Sequence, residues 1–247
     1  MLANIPDTPS FSGSLSAGLH SPATFLHELL NFIKEELPKW RDDPDRPSET
    51  SETILTSHLC AHLNSATRRS SGWDMLQFRT EEADEENKGR KIDLVPAPCN
   101  AKIQVDGRNY TQYDSLMPIE CKRLPTPKAK DRDKREYVIS QYSSTGGIQR
   151  FKAGHHGANH QIGAMIGYVQ SESRDFWNKK VREWIEELVK NKQKGWAKED
   201  LLQLEDDDST LKLSTFHSHH KRENSLLEME LRHLWIEINA TSLKPKG

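Results

Sequence analysis

Apolar residues recur first at helical and later at strand-like spacing. Phe25, Leu26, Leu29, Leu30, Ile33 and Leu37 mark one face of a helix. Ser21 as N-cap and Pro22 at the first helical position would open it, and it would run to about Trp40. A charged, proline-bearing loop at 41–47 leads to a second helix, opened by Ser48 or Ser51, with Leu55, Leu59 and Leu63 on one stripe. Residues 1–20, rich in Ser, Gly, Pro and Asn, read as a poorly ordered leader. A single domain is expected over 21–240, followed by a tail at 241–247.

Strand-like runs follow at 73–80, 91–95, 101–105, 108–113 and 116–122, with Asp106-Gly107 as a hairpin turn in a meander. A helix is expected over 131–143. Gly146-Gly147 then breaks the pattern before a short segment at 148–152. Residues 164–169 read as a buried strand, and 174–192 as an amphipathic helix carrying Phe176, Val181, Trp184, Ile185 and Leu188. Trp177 and Trp184 are assigned to core packing rather than base stacking. Late strands are expected at 211–216 and 231–238, and the acidic 205–208 reads as a solvated linker. This order predicts an α/β domain with a central mixed sheet flanked by helices.

The composition narrows the class. Of 247 residues, 34% are hydrophobic and 29% charged, with a net charge of -2. No run approaches the roughly 18 apolar residues of a membrane span, and the start lacks a secretory pattern. The expectation is a cytoplasmic protein without a membrane partner. Cys60, Cys99 and Cys121 lack C-x-x-C spacing, so neither a disulfide framework nor a zinc ribbon is indicated, and each is expected in the core. The overall charge gives no sign of nucleic-acid binding, but basic residues concentrate from Lys122 to Arg135.

That run follows the most informative segment, Met117-Pro118-Ile119-Glu120-Cys121-Lys122-Arg123. In a strand, Glu120 and Lys122 project together while Ile119 and Cys121 point into a core. A neighbouring strand would bring Asp93 beside them. Two carboxylates and a lysine at one spot can hold Mg²⁺ through hard oxygen ligands and leave a cation to orient or deprotonate water, the chemistry of phosphodiester cleavage. Glu52 lies three residues before Leu55 and seven before Leu59, so at about 100° per residue it shares their apolar face and needs a partner there. The competing reading is a first-turn acid that favours the helix dipole and reaches solvent. Histidines at 155, 156 and 160, at 58 and 62, and at 217, 219 and 220 lack zinc spacing; those at 217–220 are expected to touch phosphate or solvent.

Glu52 on a helix, Asp93 on one strand and Glu120-Cys121-Lys122 on the next resemble the PD-(D/E)XK nuclease superfamily, the restriction-endonuclease-like fold; Ile92 stands where the name has proline. Tyr137-Val138, the segments 147–151 and 163–169 with Gly154, the segment 216–222 and Leu231-Arg232-His233-Leu234 resemble bacterial members of the antiphage-defence type. The resemblance implies a Mg²⁺-dependent DNA endonuclease, Mn²⁺ substituting. Asp93 and Glu120 would hold the metal with the Cys121 carbonyl, Lys122 would act on the water, and Glu52 would assist. Arg123, Gln141 and Arg150 would contact nucleic acid, Gln141 from the helix after the motif. For Arg150 a salt bridge to a carboxylate stands beside phosphate binding, with Gly146, Gly147 and Gly154 allowing a nucleic-acid strand to approach. An ATPase or helicase subunit is an implied partner, and self-association is left open. The alternative functions are a nuclease-fold module that binds nucleic acid or a partner without cutting, and an α/β protein in which the cluster is an ion-pair network.

Overall fold

The computed structural model describes residues 24–86, 88–100, 102–142 and 146–238. The leader, the tail and the Ser21-Pro22 start of the first helix lie outside them.

Helices α1 (Thr24–Asp42) and α2 (Glu52–Arg69) bury the stripes of leucines that predict them, Leu29, Ile33 and Leu37 from the first and Leu55, Leu59 and Leu63 from the second. Beneath them lies a seven-stranded mixed sheet in the order β1-β2-β5-β6-β9-β8-β7. Its strands are β1 (Leu76–Ala83), β2 (Lys91–Pro98), β5 (Ile119–Leu124), β6 (Ile162–Val169), β7 (Gln203–Asp208), β8 (Leu213–His220) and β9 (Met229–Glu237). The central pairs β5–β6 and β6–β9 are parallel; the outer pairs are antiparallel. Strands β3 (Ile103–Val105) and β4 (Arg108–Tyr110) form a separate hairpin around Asp106-Gly107, both at positive φ, as a tight hairpin turn of this type requires.

Side-chain alternation divides the interior in two. On β6, Ala164, Ile166 and Tyr168 join the core beneath α1 and α2. Met165 and Val169 join a second core with α3 (Gly147–Lys152) and α4 (Arg174–Lys190), including Trp177, Trp184 and Ile185. The tryptophans are therefore packing residues; Phe176 lies outside the stripe expected of it and is 37% exposed. Among the cysteines, Cys121 is buried, whereas Cys60 and Cys99 are only partly so. Among the described residues no helix is long and apolar enough to cross a membrane.

Two expectations are corrected. Residues 131–142 form turns, not a helix. Tyr137, Val138 and Ile139 are all buried in succession, a pattern no single helical stripe produces. The acidic 205–208 belongs to β7, an exposed edge strand fastened by pairing with β8 and by Lys34–Asp206 (2.7 Å) and Arg232–Glu205 (2.8 Å) ion pairs.

The glycines before and at the start of α3 let it sit against the 137–140 segment. A Cβ on Gly146 would collide with Ile139 Cα and lie 2.6 Å from its carbonyl carbon; one on Gly147 would lie 2.8 Å from Tyr137 O. The close approach therefore serves the chain's own backbone, not a nucleic-acid strand. Gly146→Ala is expected to lower unfolding stability by about 1–3 kcal/mol, because the obstructing atoms are backbone and cannot swing aside. Denaturant unfolding checks this, and an unchanged midpoint would contradict the fit.

Candidate active site

On β5 the alternation places Ile119 and Cys121 in the α1/α2 core and turns Glu120 and Lys122 to the opposite face, where both remain buried. Strand β2 runs antiparallel with Leu94 opposite Ile119, which brings Asp93 alongside. The Cys121 backbone N–H donates to Asp93 Oδ2 at 2.8 Å. Glu52 opens α2 and reaches over β5: its Oε1 accepts from Lys122 Nζ at 3.2 Å and its Oε2 from the Arg123 backbone N–H at 3.0 Å. The inward-facing carboxylate thus has its partners, and the solvent-facing alternative is not what the fold adopts.

Lys122 Nζ is the centre of the cluster. It lies 2.8 Å from Glu120 Oε1, 3.2 Å from Glu52 Oε1 and 3.7 Å from Asp93 Oδ2, and donates to the Cys121 carbonyl at 3.0 Å. Burial alone would favour the neutral amine, but Glu120, then Asp93 and Glu52, hold its pKa well above the usual lysine value. For Glu120, burial opposes ionisation, yet Lys122, His156 and Arg150 keep its carboxyl far below the ordinary range. Asp93 differs: burial and the Glu120 charge push its pKa up to about 7, with Lys122 and the Cys121 N–H opposing.

The structure brings together Glu52, Asp93, Glu120 and Lys122. Arg150, from α3, donates through Nη1 to Glu120 Oε1 at 2.7 Å, so the salt bridge weighed for it is the contact made. Cys121 contributes its carbonyl beside Lys122, while its thiol belongs to the other core. Arg123 donates through Nη1 to Thr50 O at 2.8 Å and fastens the chain before α2. For Gln141 the expected helix is corrected: it is exposed in a bend, its backbone N–H donating to Asp133 Oδ2 at 3.0 Å. In the basic run, Arg132 pairs with Glu136 and Arg135 with Asp133, leaving Lys128, Lys130 and Lys134 as exposed charges. Of the 217–220 histidines, His219 is exposed and His217 partly so, as expected of solvent-facing groups, whereas His220 is fully buried.

One neighbour of Glu120 had no signal in the periodicity. His156, 2% exposed, places Nδ1 3.1 Å from Glu120 Oε2 without the alignment of a hydrogen bond, and both atoms are buried without one. It follows the positive-φ Gly154, in a loop whose course the residues do not announce. A cleft of about 370 Å³ opens onto Asp93 between Arg90 and Lys91 on one side and Arg150, His155 and His156 on the other. The larger cleft of about 450 Å³, lined by His27, Tyr110, His160 and Glu230, includes none of the clustered residues.

No known protein family, curated protein or solved structure matches this chain. The site is therefore weighed by its geometry. Among the described residues no group of three or more His, Cys, Asp or Glu side chains is arranged to hold a metal ion. Asp93 and Glu120 are a pair of hard donors, and the unbonded Glu120 Oε2 is a buried oxygen with spare acceptor capacity. Such a pair suits Mg²⁺ or Mn²⁺, which take one or two protein carboxylates and complete their shell with water and phosphate oxygens.

Proposed function

We propose that the chain is a metal-dependent endonuclease that hydrolyses phosphodiester bonds in DNA, with its mixed sheet organised in the restriction-endonuclease-like manner. The observation that carries the reading is the convergence of Glu52, Asp93 and Glu120, from three elements, within 3.7 Å of one buried ammonium, Lys122 Nζ. Asp93 and Glu120 would hold Mg²⁺, Mn²⁺ substituting, with the Cys121 carbonyl as a further oxygen. Bound there, the ion supplies Lewis-acid polarisation of the phosphate and a more acidic water.

Lys122, whose ammonium form the surrounding carboxylates favour, orients or deprotonates the attacking water and offsets charge developing at phosphorus. Glu52 steers that ammonium and does not itself face the cleft with Arg150 and His156. Arg90 supplies a cation to the cleft beside Asp93, where Lys91 is paired with Glu81 at 2.8 Å, and phosphate contacts made there weaken with salt. The resemblance to defence nucleases extends the proposal to an antiphage role beside an ATPase or helicase subunit.

The test is incubation with duplex DNA, single-stranded DNA and RNA in Mg²⁺, Mn²⁺ or EDTA. Cutting of DNA that EDTA stops and that Glu120→Gln lowers at least about a hundredfold is expected. One observation favours a second reading: Lys122 and Arg150 already neutralise Glu120, as in an ion-pair network within a non-cutting module. No cutting in either metal, together with no cation binding by the folded protein, would select it.

A further inference from the structure

A line of buried polar groups runs along the sheet face that carries Glu120. In register across the sheet, Glu120 on β5 stands beside Met165 on β6 and His233 on β9. Through His233 seven side chains are hydrogen-bonded in series. Trp235 Nε1 donates to Tyr137 Oη at 2.7 Å. Indole N–H is a donor only and the Asp200 carboxylate an acceptor only, and with neutral imidazoles between them the links run one way. Tyr137 turns its own hydrogen to His233 Nδ1 (2.8 Å), so His233 carries its proton on Nε2 and donates to Ser218 Oγ (2.8 Å). Ser218 donates in turn to His220 Nε2 (2.6 Å), and His220 Nδ1–H to Asp200 Oδ1 (2.6 Å). Asp200 Oδ1 also accepts from Lys152 Nζ at 2.5 Å. These tautomers are assigned from the bonding pattern. Burial keeps both imidazoles neutral, as the series requires.

Ser218, His220 and Asp200 have the order of a hydrolytic triad, but Ser218 and His220 are 0% exposed and no substrate reaches them. The two ends of the line show what it does instead, because both fasten α3. At one end the carbonyls of Glu136, Tyr137 and Val138 accept the first three α3 N–H groups, from Gly147 (2.8 Å), Ile148 (3.2 Å) and Gln149 (3.0 Å). At the other, Lys152 is the last residue of α3. With six residues, α3 is too short to hold its shape alone, and between its fastened ends it carries Arg150, the partner of Glu120.

We propose that the buried series from Tyr137 to Lys152 is a brace that sets the register of α3 and so holds Arg150 on Glu120, making Tyr137, Ser218, His220 and His233 positioning residues of the candidate nuclease site. This rests on the nuclease reading for its functional consequence and on geometry alone for its structural one. The variants are Ser218→Ala, which removes the central relay, and the milder Tyr137→Phe, which removes one hydroxyl. In the folded full-length protein, amide exchange at 147–152 is expected to quicken at least about tenfold while that of 162–169 stays unchanged. Cleavage is expected to fall about tenfold in either variant, yet less than about twofold further when either is placed on Arg150→Ala, because coupled sites are non-additive.

Unchanged exchange in α3, equal quickening across the sheet, or losses that multiply fully with Arg150→Ala would each overturn the brace. If the wild-type protein cuts no nucleic acid, the nuclease reading fails, while the exchange experiment still decides the brace.

Discussion

Lys122→Met is expected to be the costliest change at the site, removing about 3–5 kcal/mol of stability together with metal-dependent cutting. Methionine keeps an unbranched apolar stem, so the loss is one of charge more than volume. Glu120 is 0% exposed, and without the ammonium its carboxylate retains Arg150 as its one directly hydrogen-bonded cation. A buried charge stripped of a partner costs far more than the intact pair contributes. Denaturant unfolding gives the stability, and cleavage is scored at a denaturant-free temperature where the variant is still folded by circular dichroism. A loss under about 1 kcal/mol would show that Arg150 alone compensates Glu120.

Asp93→Asn is expected to move stability the other way. The folded-state pKa of Asp93, about 7, lies above the ordinary 3.8, so the folded protein retains a proton that the unfolded chain has released. Its contribution to stability is complete below about pH 4 and is lost as pH rises through 7. Asparagine does not ionise and can still accept from the Cys121 N–H. The variant should therefore gain on the wild type between pH 4 and 7 and be more stable at pH 8 by about 1–3 kcal/mol, with cutting lost throughout. Melting temperatures at pH 5 and pH 8 without divalent ions check the sign. A variant less stable at pH 8 would mean that ionised Asp93 is kept for its pairing with Lys122, the ion-pair-network reading.

These opposite signs rest on residues the sequence makes conspicuous. A period-two strand with charges on one side and Ile119 and Cys121 on the other has one way to face a core, and Glu52 is fixed by its helical phase to Leu55 and Leu59. What could not be read depends on contacts between distant segments. Residues 131–143 contain good helix formers, yet Tyr137, Val138 and Ile139 are drawn into one core from successive positions, which sacrifices the helix. Gln141 lost its expected helical setting for the same reason. Strand β7 has no apolar alternation, because as an exposed edge its order comes from backbone pairing with β8. His156 and the Tyr137–Asp200 series reach their partners through tertiary closure, with links spanning up to 96 residues of chain, which no local pattern encodes.

The acidic edge bears on how this molecule meets its own copies. A strand with a free flank is a template on which another chain can add, and the sheet could in principle grow from molecule to molecule. Here that flank is Gln203–Asp208, in which Glu205, Asp206, Asp207 and Asp208 follow one another. Laid antiparallel against the same strand of a second copy, Glu205 and Asp206 would face each other at the middle of the ladder, and like charges directly opposite are unfavourable. Among the described residues, charge on this flank thus works against the sheet's extending through β7 into a second copy.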